Sequence, residues 1–431
     1  MPFLLPRAGK PATIPGLPPR TRTVPIDHPA TRNRLQALAR EHAPYAGVFA
    51  HGMGQSIVFA LLPALGREVG LAEVAIGAVI SMSSLVFFIA SRVWGRVSDR
   101  WGRKPVILCG LWGYSIGTLV FGLVFGLGMY GVLGGTLLYG LIMGTRMAQA
   151  VVMSGTSPAT SAHIADTTTP ETRASGMGRL AAANNIGSIM GPAIAGTLAV
   201  FSLLLPLAVA ALAAAAAAEL IRRLLPYRQV LPGSHHAAAR LRLFDRRFVA
   251  YLGLGIAVFT AFSIVQQTLA FRIQDSLVLD TRATAQTYGY TMMTMASASL
   301  FAQTVLVQRL KLAPALLLRA GMPLLAGAFA LLIWAAALPA FFVAMALLGL
   351  GMGLCGPGLN AAMSLAVSAR EQGALAGIAS AVPALGFILG PVAGTGLYQV
   401  NPHYPYILTT LILLPACVAA FRVRPHLHTE T

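Results

Sequence analysis

Twelve apolar stretches of membrane length, separated by short polar turns, leave this chain few ways to fold. By hydropathy they fall near 45–66, 73–94, 106–127, 130–154, 176–199, 202–221, 248–270, 286–306, 315–336, 339–362, 374–398 and 405–422. A bilayer core takes ~20 residues of helix per crossing, so 431 residues hold a dozen crossings with little left over. Barrel strands are excluded by pattern, because they alternate polar and apolar residues and "ALAAAAAAEL" from Ala211 does not. Gly, Ala, Ser and Thr recur within the stretches, which suits helices that approach one another closely. The expected fold class is an all-α polytopic membrane protein.

Charge then sets the topology. A net charge of +18 would suit a nucleic-acid binder if it were gathered on one face. With both ends of an even number of spans in the cytoplasm, however, 27 of the 31 Lys and Arg fall on that side. Arg67, Arg272 and Arg282 face outward, and Arg146 lies inside a span. That is the positive-inside pattern, so the charge is read as a topology signal and no nucleic-acid partner is expected. Residues 1–44, rich in Pro and Arg and without a secretory apolar core, are expected as a disordered basic cytoplasmic tail. Residues 423–431 form the other cytoplasmic tail, and the protein is placed in the cell inner (plasma) membrane. Cys109, Cys355 and Cys417 all sit in apolar runs; they make neither a disulfide framework nor a metal-ligand spacing. No metal and no cofactor is expected.

An internal repeat divides the chain. "GRLAAANNIGSIMGPAIAG" from Gly178 and "GIASAVPALGFILGPVAGT" from Gly377 align at one constant offset. Gly187, Gly191 and Pro192 then fall on Gly386, Gly390 and Pro391, in the fifth and eleventh spans. A long basic segment, 222–247, separates the halves. The expected organisation is an N-terminal six-helix bundle at 45–221, a cytoplasmic linker at 222–247 and a C-terminal bundle at 248–422. Parallel repeats of this kind are common among secondary transporters.

Between spans two and three stands "GRVSDRWGRKP", a knot of five charges flanked by apolar runs. Gly95, Asp99, Arg100, Gly102, Arg103 and Lys104 resemble the signature loop of the major facilitator superfamily. "GxxxGPxxxG" at Gly187, Gly191, Pro192 and Gly196 is similar to the fifth-span motif of its antiporters, and "SAHIADTTTPETRASGMG" from Ser161 resembles the turn before that span in bacterial efflux members. The resemblance covers roughly residues 45–422. It implies two pseudo-symmetric six-helix bundles, an exporter of the drug:proton antiporter kind, and a signature loop that latches the halves together on the cytoplasmic side in the outward-open state. In their own right, Gly95 and Gly102 permit tight turns and close approach. Pro105 suits the first turn of a helix, and Asp99 is placed to accept hydrogen bonds from basic neighbours or a helix N-terminus. The matching stretch of the second half, "QRLKLAP" from Gln308, keeps bases and proline without an aspartate.

Arg146, in "LIMGTRMAQAVV", is the sharpest single residue. A charge at the centre of a span costs ~2.5–3.5 kcal/mol on insertion scales, so it must face a cavity or a partner. Its position matches the fourth-span arginine that the resemblance ties to proton coupling. The interiors of spans one to five hold no Asp or Glu. The titratable candidate in span one is His51, with Gln55 one helical turn on and on the same face. It reads either as a proton exchanger or as a hydrogen-bonded interfacial histidine. Asp166 and Asp99 are the candidates for proton movement at the cytoplasmic mouth.

Pro192 and Pro391 each remove a backbone hydrogen bond within a span. With Gly187, Gly191, Gly386 and Gly390 they read as a hinge or leak-limiting seal, or as static close packing. Uncharged polar residues are candidates for lining a cavity: Gln149, Asn184 and Asn185 in the first half, Gln266, Gln267, Gln303 and Asn360 in the second. Each also reads as a helix–helix hydrogen bonder. "YGYTMMTMASASLF" from Tyr288 adds rings and flexible thioethers that re-pack around varied ligands.

The expected function is a secondary transporter exporting a small organic molecule in exchange for inward protons. The cargo is a drug or an endogenous metabolite, a siderophore among the candidates. Scarce acids in the spans favour neutral, zwitterionic or anionic cargo. A proton-coupled importer and a non-transporting membrane sensor are the alternatives. No Walker GxxxxGK followed by Ser or Thr occurs, and no nucleophile–base–acid set can be assembled, so neither an ATPase nor another enzyme is expected. The partners are the lipid bilayer, the cargo and protons, and the chain is expected to work as a monomer.

Overall fold

Every segment expected to cross hydrocarbon is helical, the secondary structure that pairs its own backbone groups where no water can. The computed structural model describes residues 29–227, 245, 247–310, 312–368 and 371–422. In chain order the helices are α1 (Pro29–Glu68), α2 (Glu73–Trp101), α3 (Arg103–Met129), α4 (Gly135–Met153), α5 (Thr156–Thr167), α6 (Pro170–Ala199) and α7 (Leu205–Leu224) in the first half. The second half has α8 (Val249–Leu277), α9 (Thr281–Phe301), α10 (Pro314–Trp334), α11 (Leu338–Leu365), α12 (Gln372–Val400) and α13 (Tyr404–Arg422). Among the described residues, ten segments are long and apolar enough to cross a membrane, with α4 and α5 counting as one. The polar residues of α6 and α9 dilute their hydropathy, yet both pack as spans among the others.

Two interruptions have local causes. Pro158 sits in the first turn of α5 and cannot donate to the turn before it, so the fourth span breaks at Ser154 and Gly155. The end of α9 widens into a π-turn at Ala302–Val307, where the amide of Gln308 reaches the carbonyl of Gln303 at 3.2 Å.

The N-terminal tail needs correction. The backbone is helical from Pro29 onward and continuous with the first span, so 29–44 is not a disordered segment. Pro29 fits the first helical position, and Arg, Gln, Leu and Ala after it are good helix formers. The rest of that expectation, residues 1–28, lies outside the described residues, as do 228–244 of the linker and the tail 423–431.

Packing repeats between the halves. The α1 contacts with α6 and α7 are matched by those of α8 with α12 and α13. Likewise α3 on α4 and α7 corresponds to α10 on α11 and α13, and α2 on α4 to α9 on α11. The halves meet along two seams, α2 with α12 and α6 with α9, and α1 also touches α8. One apolar core runs through both halves, from Ile57 and Phe121 to Phe271 and Phe341.

Candidate functional site

Arg146 organises the middle of the first half. It projects from α4 and is 1% exposed. Its guanidinium donates to Gln55 Oε1 of α1 at 2.7 Å and to the Gln149 side-chain oxygen one turn along α4. Gln149 is itself held, since its amide donates to Thr118 Oγ1 at 2.7 Å and to the Tyr114 carbonyl at 3.1 Å, both on α3. The charge is thus tied to three helices before any ligand arrives. The Phe59 ring of α1 faces it, 5.9 Å from the guanidinium carbon.

A cavity of about 390 Å³ opens beside this arginine. Its first-half wall is Gln55, Phe59, Ser83, Ser84, Phe87, Arg146, Met153, Ser157 and Asn184, and α12 supplies Pro383, Ala384 and Phe387. Both halves therefore build it. Phe59 and Phe387 stack across the divide, centroids 5.5 Å apart and planes 22° off parallel, with Phe262 of α8 edge-on to Phe387 at 6.2 Å. Arg146 is the one ionised side chain in this wall.

The residues singled out by sequence divide into groups. Gln55, Arg146 and Asn184 line the cavity, with Gln149 behind Arg146. His51 is buried against Phe87 (6.2 Å, stacked) and Tyr114 (5.7 Å, edge-on), and its Nδ1 has no hydrogen-bond partner. Asn185 and Asn360 lie outside this cavity. Both are exposed and neither is among the residues of that wall. Gln303 lies on the π-turn and bonds to Ser299 at 3.2 Å, while Gln266 and Gln267 are buried in α8 outside the cavity wall. Sequence reasoning missed the aromatic and serine walls, since Phe and Ser are ordinary residues anywhere in a span.

The glycine–proline repeats lie at helix contacts. A Cβ on Gly187 would stand 2.9 Å from the Met53 amide, and one on Gly191 2.6 Å from the Met53 carbonyl. Gly386 and Gly390 meet α8 in the same way, 2.6 Å from the Phe259 carbonyl carbon and 2.9 Å from the Thr260 oxygen. The carbonyl of Pro192 abuts Gly289 across one seam, and that of Pro391 abuts Gly77 across the other.

The polar knot after α2 is tied within its own half. Gly102 joins α2 to α3 at φ 97°, a left-handed conformation that only glycine adopts without strain. Gly95 is different from expectation: it lies inside α2 with open space around it, so no turn or close approach requires it. Arg103 donates to Asp99 at 2.5 Å, to Ser98 at 3.1 Å and to Asp166 at 2.9 Å. Lys104 donates to the carbonyls of Arg222 and Leu225 at 2.8 and 2.5 Å and so caps α7. Arg100 points outward. Among the described residues, the side-chain bonds of Asp99, Arg103 and Lys104 all stay within the first half.

Residues 45–329 and 248–431 match the sequence pattern of the Major Facilitator Superfamily. The chain is 26% identical over 384 residues to "Multidrug resistance protein 2" of Bacillus subtilis (strain 168), across 86% of this chain and 91% of that one. It is 29% identical over 359 residues to "Tetracycline resistance protein, class G" of Vibrio anguillarum, across 80% and 87%. In three dimensions it is similar to a bacterial homologue of the human lysosomal transporter Spinster, crystallised in an inward-facing and occupied conformation. That likeness has a TM-score of 0.69 at 13% identity and covers 90% of this chain and 96% of the other.

Proposed function

The chain belongs to the Major Facilitator Superfamily, and from that premise of a multi-pass transporter with efflux relatives we propose that it exports a small organic molecule in exchange for protons. The observation that carries the proposal is the cavity built by both halves around a single buried arginine. Alternating access needs one site that each half can expose in turn, and this cavity has walls from α1, α2, α4, α5, α6 and α12. The Lys/Arg-rich loops favour an inner-membrane protein with both termini in the cytoplasm. With that orientation, the state described here is closed on the outer side, where Arg67 of α1 bonds to Asp275 of α8.

The cargo reading follows from charge and shape. A cavity wall with one guanidinium and no carboxylate favours neutral, zwitterionic or anionic molecules over polycations. Phe59, Phe87 and Phe387 add flat apolar surface. Drugs such as those in the relatives' names and acidic metabolites, siderophores included, share these properties. For protons, His51 is the candidate carrier within the first half, its imidazole beside the Arg146 cluster, and Asp99 and Asp166 serve the cytoplasmic mouth. The transporter acts as a monomer.

Inside-out membrane vesicles test the proposal. With the lumen acidified, addition of tetracycline or another panel compound should discharge the proton gradient while the compound accumulates. Accumulation that survives a protonophore removes proton exchange, and uptake into right-side-out vesicles instead supports import.

A further inference from the structure

At the end opposite the Gly95–Pro105 loop, Arg67 closes α1 and reaches across to the second half. Its guanidinium grips Asp275 of α8 with two hydrogen bonds of 2.6 and 3.0 Å and donates to Gln274 at 2.9 Å. It also donates to Glu73, at the start of α2, at 2.8 Å, and lies 4.5 Å over the Phe271 ring. Asp275 accepts a further 2.6 Å bond from the Tyr398 hydroxyl of α12. Beside them Thr281 donates to Glu68 at 2.6 Å, a second tie between the halves. The Arg67 side chain is 19% exposed, so a charge stranded here is costly.

Each member of this cross-half pair also has a partner in its own half: Glu73 for Arg67, Tyr398 for Asp275. Separating a buried pair is expensive chiefly because it leaves charges alone; here neither is left alone. We infer that Arg67 and Asp275 form a releasable outer latch, and that Glu73 and Tyr398 hold the separated charges while the halves part. The inference rests on the alternating-access reading and the membrane orientation proposed above.

The two kinds of residue then act with opposite sign. Removing the pair costs the outer-closed state more, because the cross-half bonds exist only there. Removing a holder weakens the outer-open state more, because there it is the one remaining hydrogen-bond partner among the described residues. A merely structural ion-pair cluster has no reason to split this way.

The test uses Ala384→Cys, a position in the cavity wall, in a chain whose Cys109, Cys355 and Cys417 are replaced by alanine. Intact cells are labelled with a membrane-impermeant maleimide, and the denatured protein is labelled afterwards to count inserted molecules. No cargo or proton gradient is involved, so failure of the export test and failure of this one are distinguishable. Asp275→Asn should raise the labelling rate roughly three- to tenfold, the range for charge-assisted bonds at a partly exposed site. Glu73→Gln and Tyr398→Phe should each lower it by a similar factor. Unchanged or slower labelling in Asp275→Asn, or no change or faster labelling in the two holder variants, overturns the latch.

Discussion

Arg146→Ala should abolish export while leaving the protein inserted and nearly as stable as before. The arginine donates to Gln55 and Gln149, and bonds from a charged donor contribute ~1.5–3 kcal/mol each. Against that stands the ~2.5–3.5 kcal/mol cost of a charge in a span, which alanine removes. Of the oxygens left behind, that of Gln55 borders the cavity, while that of buried Gln149 loses its donor even though its amide keeps the bonds to Thr118 and Tyr114. At mid-range the losses exceed the gain by ~1.5 kcal/mol, so thermal unfolding in detergent should fall by only a few degrees. Export, followed in inside-out vesicles, should fall at least about tenfold, since the cavity loses its one cation and three helices lose their tie. Arg146→Lys separates the two contributions. It keeps the charge but has no planar fork to serve Gln55 and Gln149 together, so it should recover only part of the activity. Wild-type export by Arg146→Ala at equal expression would refute the role assigned to the residue. Failure of the variant to insert would refute this balance.

Two further predictions concern the seams and an ion-pair cluster beyond the spans. A Cβ on Gly289 would stand 2.8 Å from Gly196 Cα and 2.9 Å from the Pro192 carbonyl, backbone atoms that cannot turn aside. Overpacking costs ~1–3 kcal/mol, charged only to states in which α6 and α9 touch, so Gly289→Ala should shift the conformational balance about tenfold per 1.4 kcal/mol; unchanged cysteine accessibility in the cavity would show a slack seam. Outside the membrane, Arg247 donates to Glu371 at 3.0 and 2.9 Å and holds its carboxyl down to about 2 from the ordinary 4.5, and Asp245 is lowered by the same guanidinium. A depressed acid stabilises the fold above its unfolded value, so this contribution is flat from pH 5 to 8 and is lost between about 4.5 and 2. Glu371→Gln should lower the melting temperature at pH 7 yet approach wild type near pH 2, and a constant difference across that range would contradict the assignment.

How much of this was legible in the sequence depends on range. Helices were, because hydropathy and the ban on unpaired backbone in lipid are local rules. Arg146 stood out because a charge in a span is costly wherever it points. Gly187 and Gly386 stood out because a duplicated pattern is visible without coordinates. Arg67 was legible only as one of three outward bases, since its partner Asp275 is 208 residues away and nothing in either neighbourhood names the other. The serines of the cavity wall were invisible for another reason. Ser83 and Ser84 have the same composition as serines that pack between helices, and only the rotation of α2 decides which face they share. Asn184 and Asn185 show the same limit in miniature: adjacent letters, of which one lines the cavity and the other does not.

The repeat also locates where the preference for one state must arise. Pro192 against Gly289 and Pro391 against Gly77 are equivalent contacts at the two seams, and Ser56 and Ser263 each bond to the carbonyl three residues before them, at 3.0 and 3.1 Å, beneath equivalent glycines. Contacts related by a pseudo-twofold axis along the membrane normal lie at the same depth in both seams, so the two members of each pair make and break together as the halves rock. A bias requires groups that differ between the ends. Charged groups meet that condition: Arg67 grips Asp275 across the halves at one end, whereas at the other Asp99 and Asp166 share Arg103 within the first half and Asp245 and Glu371 share Arg247 within the second. The steric seams therefore act in matched pairs, and the ionised side chains near the two ends add a preference that the repeat does not duplicate.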